Sequence, residues 1–185
     1  MLRNLVSWLR DRRMAATAIW LAGLLVVAGA VPARAQSEDA LKSAFIFNFA
    51  KFTTWPASAF GGASAPLIVG FVGSPGLADT FEKSVVGKNV NGHALEVKTY
   101  DGAGAVDPSC HVVVVAGAQG KAVVAKVKGK PVLVVGQDAG FLDAGGMINL
   151  VVDAGKVGFE ISPGAAQGAS LELDAKLKSL AKAVK

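Results

Sequence analysis

The chain is poor in the groups on which much protein chemistry depends. Cysteine occurs once in 185 residues, at Cys110, so no disulfide closes within one chain. An oxidising compartment tolerates bridges without requiring them. Cys110 opens an apolar stretch, where a buried and inert thiol is the expected role. Histidine occurs twice, at His93 and His111. Cys110 and His111 are adjacent on an extended stretch, so their side chains point to opposite faces and do not readily chelate one ion. No metal site and no cofactor are expected. Arginine ends at Arg34. Its absence beyond that point counts against nucleic acid and other phosphate-rich partners, for which the guanidinium fork is favoured.

The arginines that are present serve a different purpose. Arg3, Arg10, Arg12 and Arg13 form a basic start, and Met14 to Val31 carries no charge. Ala33-Arg34-Ala35 then supplies an A-x-A cleavage site that leaves Gln36 as the new N-terminus. Residues 1–35 read as a signal peptide and residues 36–185 as the exported domain, with no membrane insertion after cleavage. An uncleaved anchor is the rival, because the apolar stretch is long for a signal. The formal charge of +5 belongs mostly to this leader: beyond residue 35, 14 lysines face 13 acids. The remaining 150 residues suit one domain with its own core.

Catalytic motifs are missing as well. Ser170 has Gly168 two positions before it but Glu172 two after, so G-x-S-x-G fails. Gly117 to Lys121 resembles part of a phosphate loop, but the first glycine is misplaced and Ala122 stands where Ser or Thr would hold Mg²⁺. Gly70, Gly73 and Gly76 lack dinucleotide spacing. One acid–base option stays open: Asp138, Asp143 and Glu160 could converge near the glycine loops at a strand end, where α/β sheets bind ligands. Solvated turn acids are the plainer reading of the two aspartates.

What the chain has in quantity is apolar surface in strand-length runs. Leu67–Val72, Val112–Ala116 and Val132–Val135 are continuous and suit strands buried on both faces. Leu95–Tyr100 alternates, so it has a wet face or lies at an edge. Helical patterns at Leu77–Val86 and Gln119–Lys128 separate them, which implies parallel crossover units. Met147–Val152 and Val157–Ile161 flank an Asp153–Lys156 turn and read as an antiparallel hairpin. Pro163–Gln167 suits a short helix. Asp174 caps a final helix with Leu173, Leu177, Leu180 and Val184 on one face. The expected architecture is a single three-layer α/β domain. Its sheet is mixed and mostly parallel, ends in the antiparallel hairpin and carries helices on both faces.

The aromatic residues gather in one place. Four of the nine phenylalanines and one of the three tryptophans lie in Ala44-Phe45-Ile46-Phe47-Asn48-Phe49-Ala50-Lys51-Phe52-Thr53-Thr54-Trp55-Pro56. Ser37 reads as an N-cap, and Pro56 ends the helix by Thr54. Leu41, Phe45, Asn48 and Phe52 make one helical stripe, Phe49 sits on its flank, and Ile46 and Phe47 fall outside it, so the helix is expected to be buried on most sides. Asn48 is then a polar amide within it, either bonded to a loop backbone or reserved for a partner.

This segment, with Trp55-Pro56, resembles the N-terminal signature of the YfiR family of periplasmic proteins. Gly129-Lys130-Pro131-Val132-Leu133-Val134-Val135-Gly136, Phe141, Gly145-Gly146-Met147-Ile148 and Val157-Gly158-Phe159-Glu160-Ile161 follow in that family's order, as do Ala175-Lys176-Leu177 and Leu180-Ala181. The likeness covers most of residues 41 to 183. It implies a periplasmic, non-enzymatic repressor. Such a protein binds the sensory domain of an inner-membrane diguanylate cyclase, or a related sensor kinase, and holds down cyclic-di-GMP signalling and biofilm formation. A homodimer is plausible from the same resemblance. Asn48, Lys51, Trp55, Phe141, Gly145, Gly146 and Glu160 are the motif positions it offers for contact with a partner or ligand. Some members of the family carry cysteine pairs, and a redox switch built on one is excluded here within a single chain. Two rival readings are a periplasmic small-ligand sensor, using the loop after Gly136, and a hydrolase built on the Asp138 and Glu160 carboxylates.

Overall fold

A computed structural model describes residues 32–185, with side chains from Glu38 onward. All but the last four residues of the expected signal peptide lie outside the described residues. The first helix, α1, spans Pro32–Lys51. Ser37 is therefore inside it and is not its cap. Proline fits the first helical turn because its missing N–H would have had no partner there. The helix ends at Lys51, and Thr53 Oγ1 donates to Phe49 O at 2.7 Å as the chain leaves it.

The strands that follow are β1 (Thr53–Thr54), β2 (Leu67–Val72), β3 (Asn89–Val90), β4 (His93–Tyr100), β5 (Val112–Val115), β6 (Leu133–Gly136), β7 (Ile148–Asp153), β8 (Lys156–Ile161), β9 (Glu172–Leu173) and β10 (Ala183–Val184). Eight of them form one sheet in the order β10-β8-β7-β6-β5-β2-β4-β3, while β1 and β9 pair separately. The five central strands β4, β2, β5, β6 and β7 are parallel. Helix α2 (Pro75–Val85) crosses from β2 to the β3–β4 hairpin and α3 (Gly120–Lys126) from β5 to β6, as parallel pairing requires. The β7–β8 hairpin is antiparallel, with Asn149 opposite Glu160. The alternating strand β4 lies next to the sheet edge, and only the two-residue β3 lies beyond it.

Two cores result from strand alternation. On one face, Val69, Phe71, Val114, Val135, Leu150 and Phe159 pack with α1 and α2 through Ile46, Phe49, Leu77 and Phe81. On the other, Val113, Val115, Val132 and Val134 pack with α3 through Val123 and Val127. Residues Ser37–Lys185 form one compact unit. No helix among the described residues is long and apolar enough to cross a membrane.

Two expectations about faces and ends are corrected. The buried face of α1 is Ser43, Ile46, Phe49 and Ala50, whereas Leu41 is 45 % exposed, Asn48 is exposed, and Phe45 and Phe52 are only half-buried. Both faces are apolar, so sequence pattern alone cannot choose between them. The face bearing Ser43 and Ala50 allows closer approach to the sheet, and Phe49 meets Phe159 edge-on at 4.9 Å. The final helix, α5 (Ala175–Leu180), is shorter than expected. Asp174 does cap it, its Oδ1 accepting from Lys176 N at 2.7 Å. The chain then extends as β10 and pairs in parallel with β8. Leu177 is buried, but Leu180 and Val184 face solvent.

Candidate partner-binding surfaces

The outward side of α1 is mixed in composition, with apolar and polar residues side by side. Leu41, Asn48 and Lys51 are exposed on it, bordered by the half-buried Phe45 and Phe52, which also pack on the core, Phe45 meeting Phe159 at 5.5 Å. The Lys51 and Lys176 ammonium groups stand 5.7 Å and 5.5 Å from the centroid of the Phe52 ring, and Lys88 stands 5.2 Å from that of Phe47. Cations near aromatic faces keep these rings partly shielded in water. The Asn48 side chain is not a buried amide bonded to a loop; it is exposed, and its backbone carbonyl accepts from Phe52 N–H at 2.9 Å.

Trp55 is buried, and its indole Nε1–H donates to His111 O at 3.3 Å. Around it lies an arrangement that sequence inspection did not find. The Phe60 ring is stacked between the imidazoles of His93, at 3.9 Å and 9°, and His111, at 4.3 Å and 21°. His111 Nδ1 accepts from Ile68 N–H at 3.0 Å, so its Nε2 carries the proton and donates to Ala59 O at 3.1 Å. His93 Nδ1–H donates to Ala65 O at 2.6 Å. The two histidines, thirty-odd positions from Phe60 and more, hold the 56–66 connector onto the sheet. Burial pushes the His111 imidazole below its ordinary 6.5. Cys110 faces the second core instead, with its Sγ 3.1 Å from Tyr100 Oη, and burial raises the pKa of its thiol.

Phe141 packs inward, 4 % exposed, into a cradle of glycines. A Cβ at Gly120 would lie 2.9 Å from the Phe141 ring, and one at Gly136 or Gly146 would overlap it outright. Gly145 turns the loop at φ +94°, a region that L side chains seldom adopt. The ring and its three glycines, one each from α3, β6 and the β6–β7 loop, are one packing unit.

The three acids have different surroundings. Asp143 binds Lys185 Nζ at 3.3 Å, and no hydrogen bond connects it with Asp138 or Glu160. Glu160 is half-buried opposite Asn149, pointing away from the Phe159 and Ile161 core. Asp138 Oδ2 and Asn149 Oδ1 are enclosed without a hydrogen-bond partner. Among the described residues no three His, Cys, Asp or Glu side chains cluster to hold a metal.

Residues 39–182 match the YfiR/HmsC-like family. The chain belongs to that family. A crystal structure described as a conserved domain protein from Vibrio cholerae O1 biovar El Tor str. N16961 shares the fold. Its TM-score is 0.51 at 12 % identity, over 64 % of this chain and 55 % of that one. The chain thus spans about 55 % of that structure's length, and the likeness concerns the fold alone. No curated protein matches by sequence.

The motif positions of this YfiR/HmsC-like domain separate into two groups. Trp55, Phe141 and Gly146 are interior, and each has a packing partner that accounts for it. Asn48, Lys51 and Gly145 are exposed, and Glu160 is half-exposed. The first pair sits on α1; the second lies on the β6–β7 loop and the β8 strand.

Proposed function

We propose that this YfiR/HmsC-like protein is a periplasmic regulator that binds the sensory domain of an inner-membrane diguanylate cyclase and represses it. The carrying observation is the outward stripe of α1, where apolar and half-buried aromatic residues surround Asn48 and Lys51 within the family match. Aromatic anchors bordered by polar groups are the usual make-up of a protein-binding patch. Repression then works by preference: the regulator binds the inactive state of the sensor more tightly and draws the population toward it. Deleting the gene raises cellular cyclic-di-GMP, and restoring the wild-type chain, but not one carrying Asn48→Ala and Lys51→Glu, returns it to the starting level. Unchanged cyclic-di-GMP in the deletion strain overturns the reading.

A small-ligand sensor is the second reading. The loop after Gly136 is filled by the Phe141 ring, so the reading draws instead on a cleft of about 400 Å³ beside Trp55, lined by Pro56, Pro163, Gln167, Leu171 and Lys178 among others. Mass spectrometry of the natively purified protein decides it, since a retained small molecule supports it and a bare chain opposes it.

A further inference from the structure

We infer that the groove between α3 and α4 (Pro163–Gly168) is a docking site for an acidic, amphipathic segment of a partner protein. The groove encloses about 450 Å³. Its floor is apolar, formed by the buried Val127, Val134 and Met147. Its sides are small residues, among them Ala125, Ala165 and Gly168. Small sides let a second backbone approach closely, so the occupant is a chain segment with apolar side chains reaching the floor.

Charge decides the rest. Lys121 and Lys128 belong to the groove lining and are exposed. Lys126 and Lys130 flank them, and residues 108–137 contain four lysines and no acid. None of these four takes part in an ion pair among the described residues, whereas Lys42, Lys98, Lys182 and Lys185 all do. The nearest acid along the β6–β7 loop, Asp143, is already occupied by Lys185. A basic rim around an apolar floor selects an occupant with acidic flanks, and like-charged segments are repelled. A membrane surface fits less well. The exposed side of α3 offers Lys121, Ala122, Ala125 and Lys126, with no aromatic or large aliphatic side chain to insert into lipid.

The inference rests on the reading that the protein acts by binding a partner, but its test needs no cyclase. Full-chain protein is titrated into labelled helical peptides of about 20 residues, long enough to hold a helix in water. Two peptides share one leucine stripe, flanked by glutamates in one and by lysines in the other, and vesicles of anionic phospholipid form a third probe. The acidic peptide binds about tenfold more tightly than the basic one, near what two exposed ion pairs supply. Lys121→Glu with Lys128→Glu reverses the preference, and Ala125→Trp, which fills the groove from an exposed position, abolishes binding. Thermal melting checks that each variant folds. Equal binding of the two peptides, or binding that survives Ala125→Trp, overturns the proposal. So does vesicle binding that needs the lysines but is indifferent to Ala125→Trp, which would assign the face to a membrane. Self-association of the chain that Ala125→Trp disrupts would assign the groove to a second copy and overturn it as well. If the peptide result fails while gene deletion still raises cyclic-di-GMP, the regulatory reading stands and only the groove assignment falls.

Discussion

At the scale of single residues, glycine and phenylalanine explain each other. Gly146→Ala places a methyl group inside the Phe141 ring, so the loop must shift or the ring must leave. The expected loss is about 1–3 kcal/mol from overpacking. Phe141→Ala removes a buried ring and costs about 3–5 kcal/mol. In the double variant the two losses do not add, because the alanine methyl then occupies vacated space. Urea denaturation of the three variants measures this, and strict additivity would show that the ring and the glycine are independent. His111 makes a second prediction. Its folded pKa is depressed, so the unfolded chain takes up the proton at the higher pH. Stability from this group is complete above the unfolded value near 6.5 and declines as pH falls through the window beneath it, because burial disfavours the charged ring, which also forfeits the Nδ1 acceptor that Ile68 N–H uses. Melting temperature therefore falls between about pH 7 and about pH 5, and His111→Asn flattens that part of the profile. A wild-type profile parallel to that of the variant would contradict it.

At the scale of elements, α1 has two apolar sides with different roles. Phe49 is fully buried against Phe159, and Phe49→Ala is expected to cost about 3–5 kcal/mol. Asn48→Ala and Lys51→Ala lie on the outer side and should change stability by less than about 0.5 kcal/mol. Chemical denaturation separates the two sets, and a large loss at Asn48 would mean that its side chain holds the fold. The C-terminal segment has a comparable test. β10 adds to the β8 edge through Lys182 N–H to Phe159 O at 2.8 Å and Lys185 N–H to Ile161 O at 2.9 Å. Deleting residues 182–185 removes both bonds and uncovers β8. The expected result is a loss of about 1–3 kcal/mol and faster hydrogen exchange at the β8 amides.

At the scale of the whole molecule, the sheet separates two cores and its helices are unevenly shared. One face carries α1 and α2, the other α3, and the lysine-rich side of α3 adjoins a groove that the fold leaves open. With its single thiol buried beside Tyr100, the molecule has no cross-link to make within itself. Treatment with oxidant or reductant is expected to leave both mass and melting temperature unchanged. A shift in either that Cys110→Ser abolishes would show that Cys110 is reached in solution.

Order along the chain and element type were readable from the residues themselves. Continuous apolar runs marked the central strands, alternation marked β4, and turn chemistry marked the β7–β8 hairpin, because period and turn preference are local properties of the backbone. The YfiR-like motifs were readable for a different reason, as short runs of consecutive residues that resemble those of the family. The phase of α1 was not, since Leu41, Phe45 and Phe52 are as apolar as Ile46 and Phe49, and only the shape of the sheet beneath could favour the side with Ser43 and Ala50. The end of α5 was hidden likewise, because the free edge of β8, rather than any residue near Leu180, draws the last residues into a strand. The role of Phe141, the stacking of Phe60 between two distant histidines and the pairing of Asp143 with Lys185 belong to tertiary structure alone. Each depends on contacts between segments far apart in sequence, and no local pattern records those contacts.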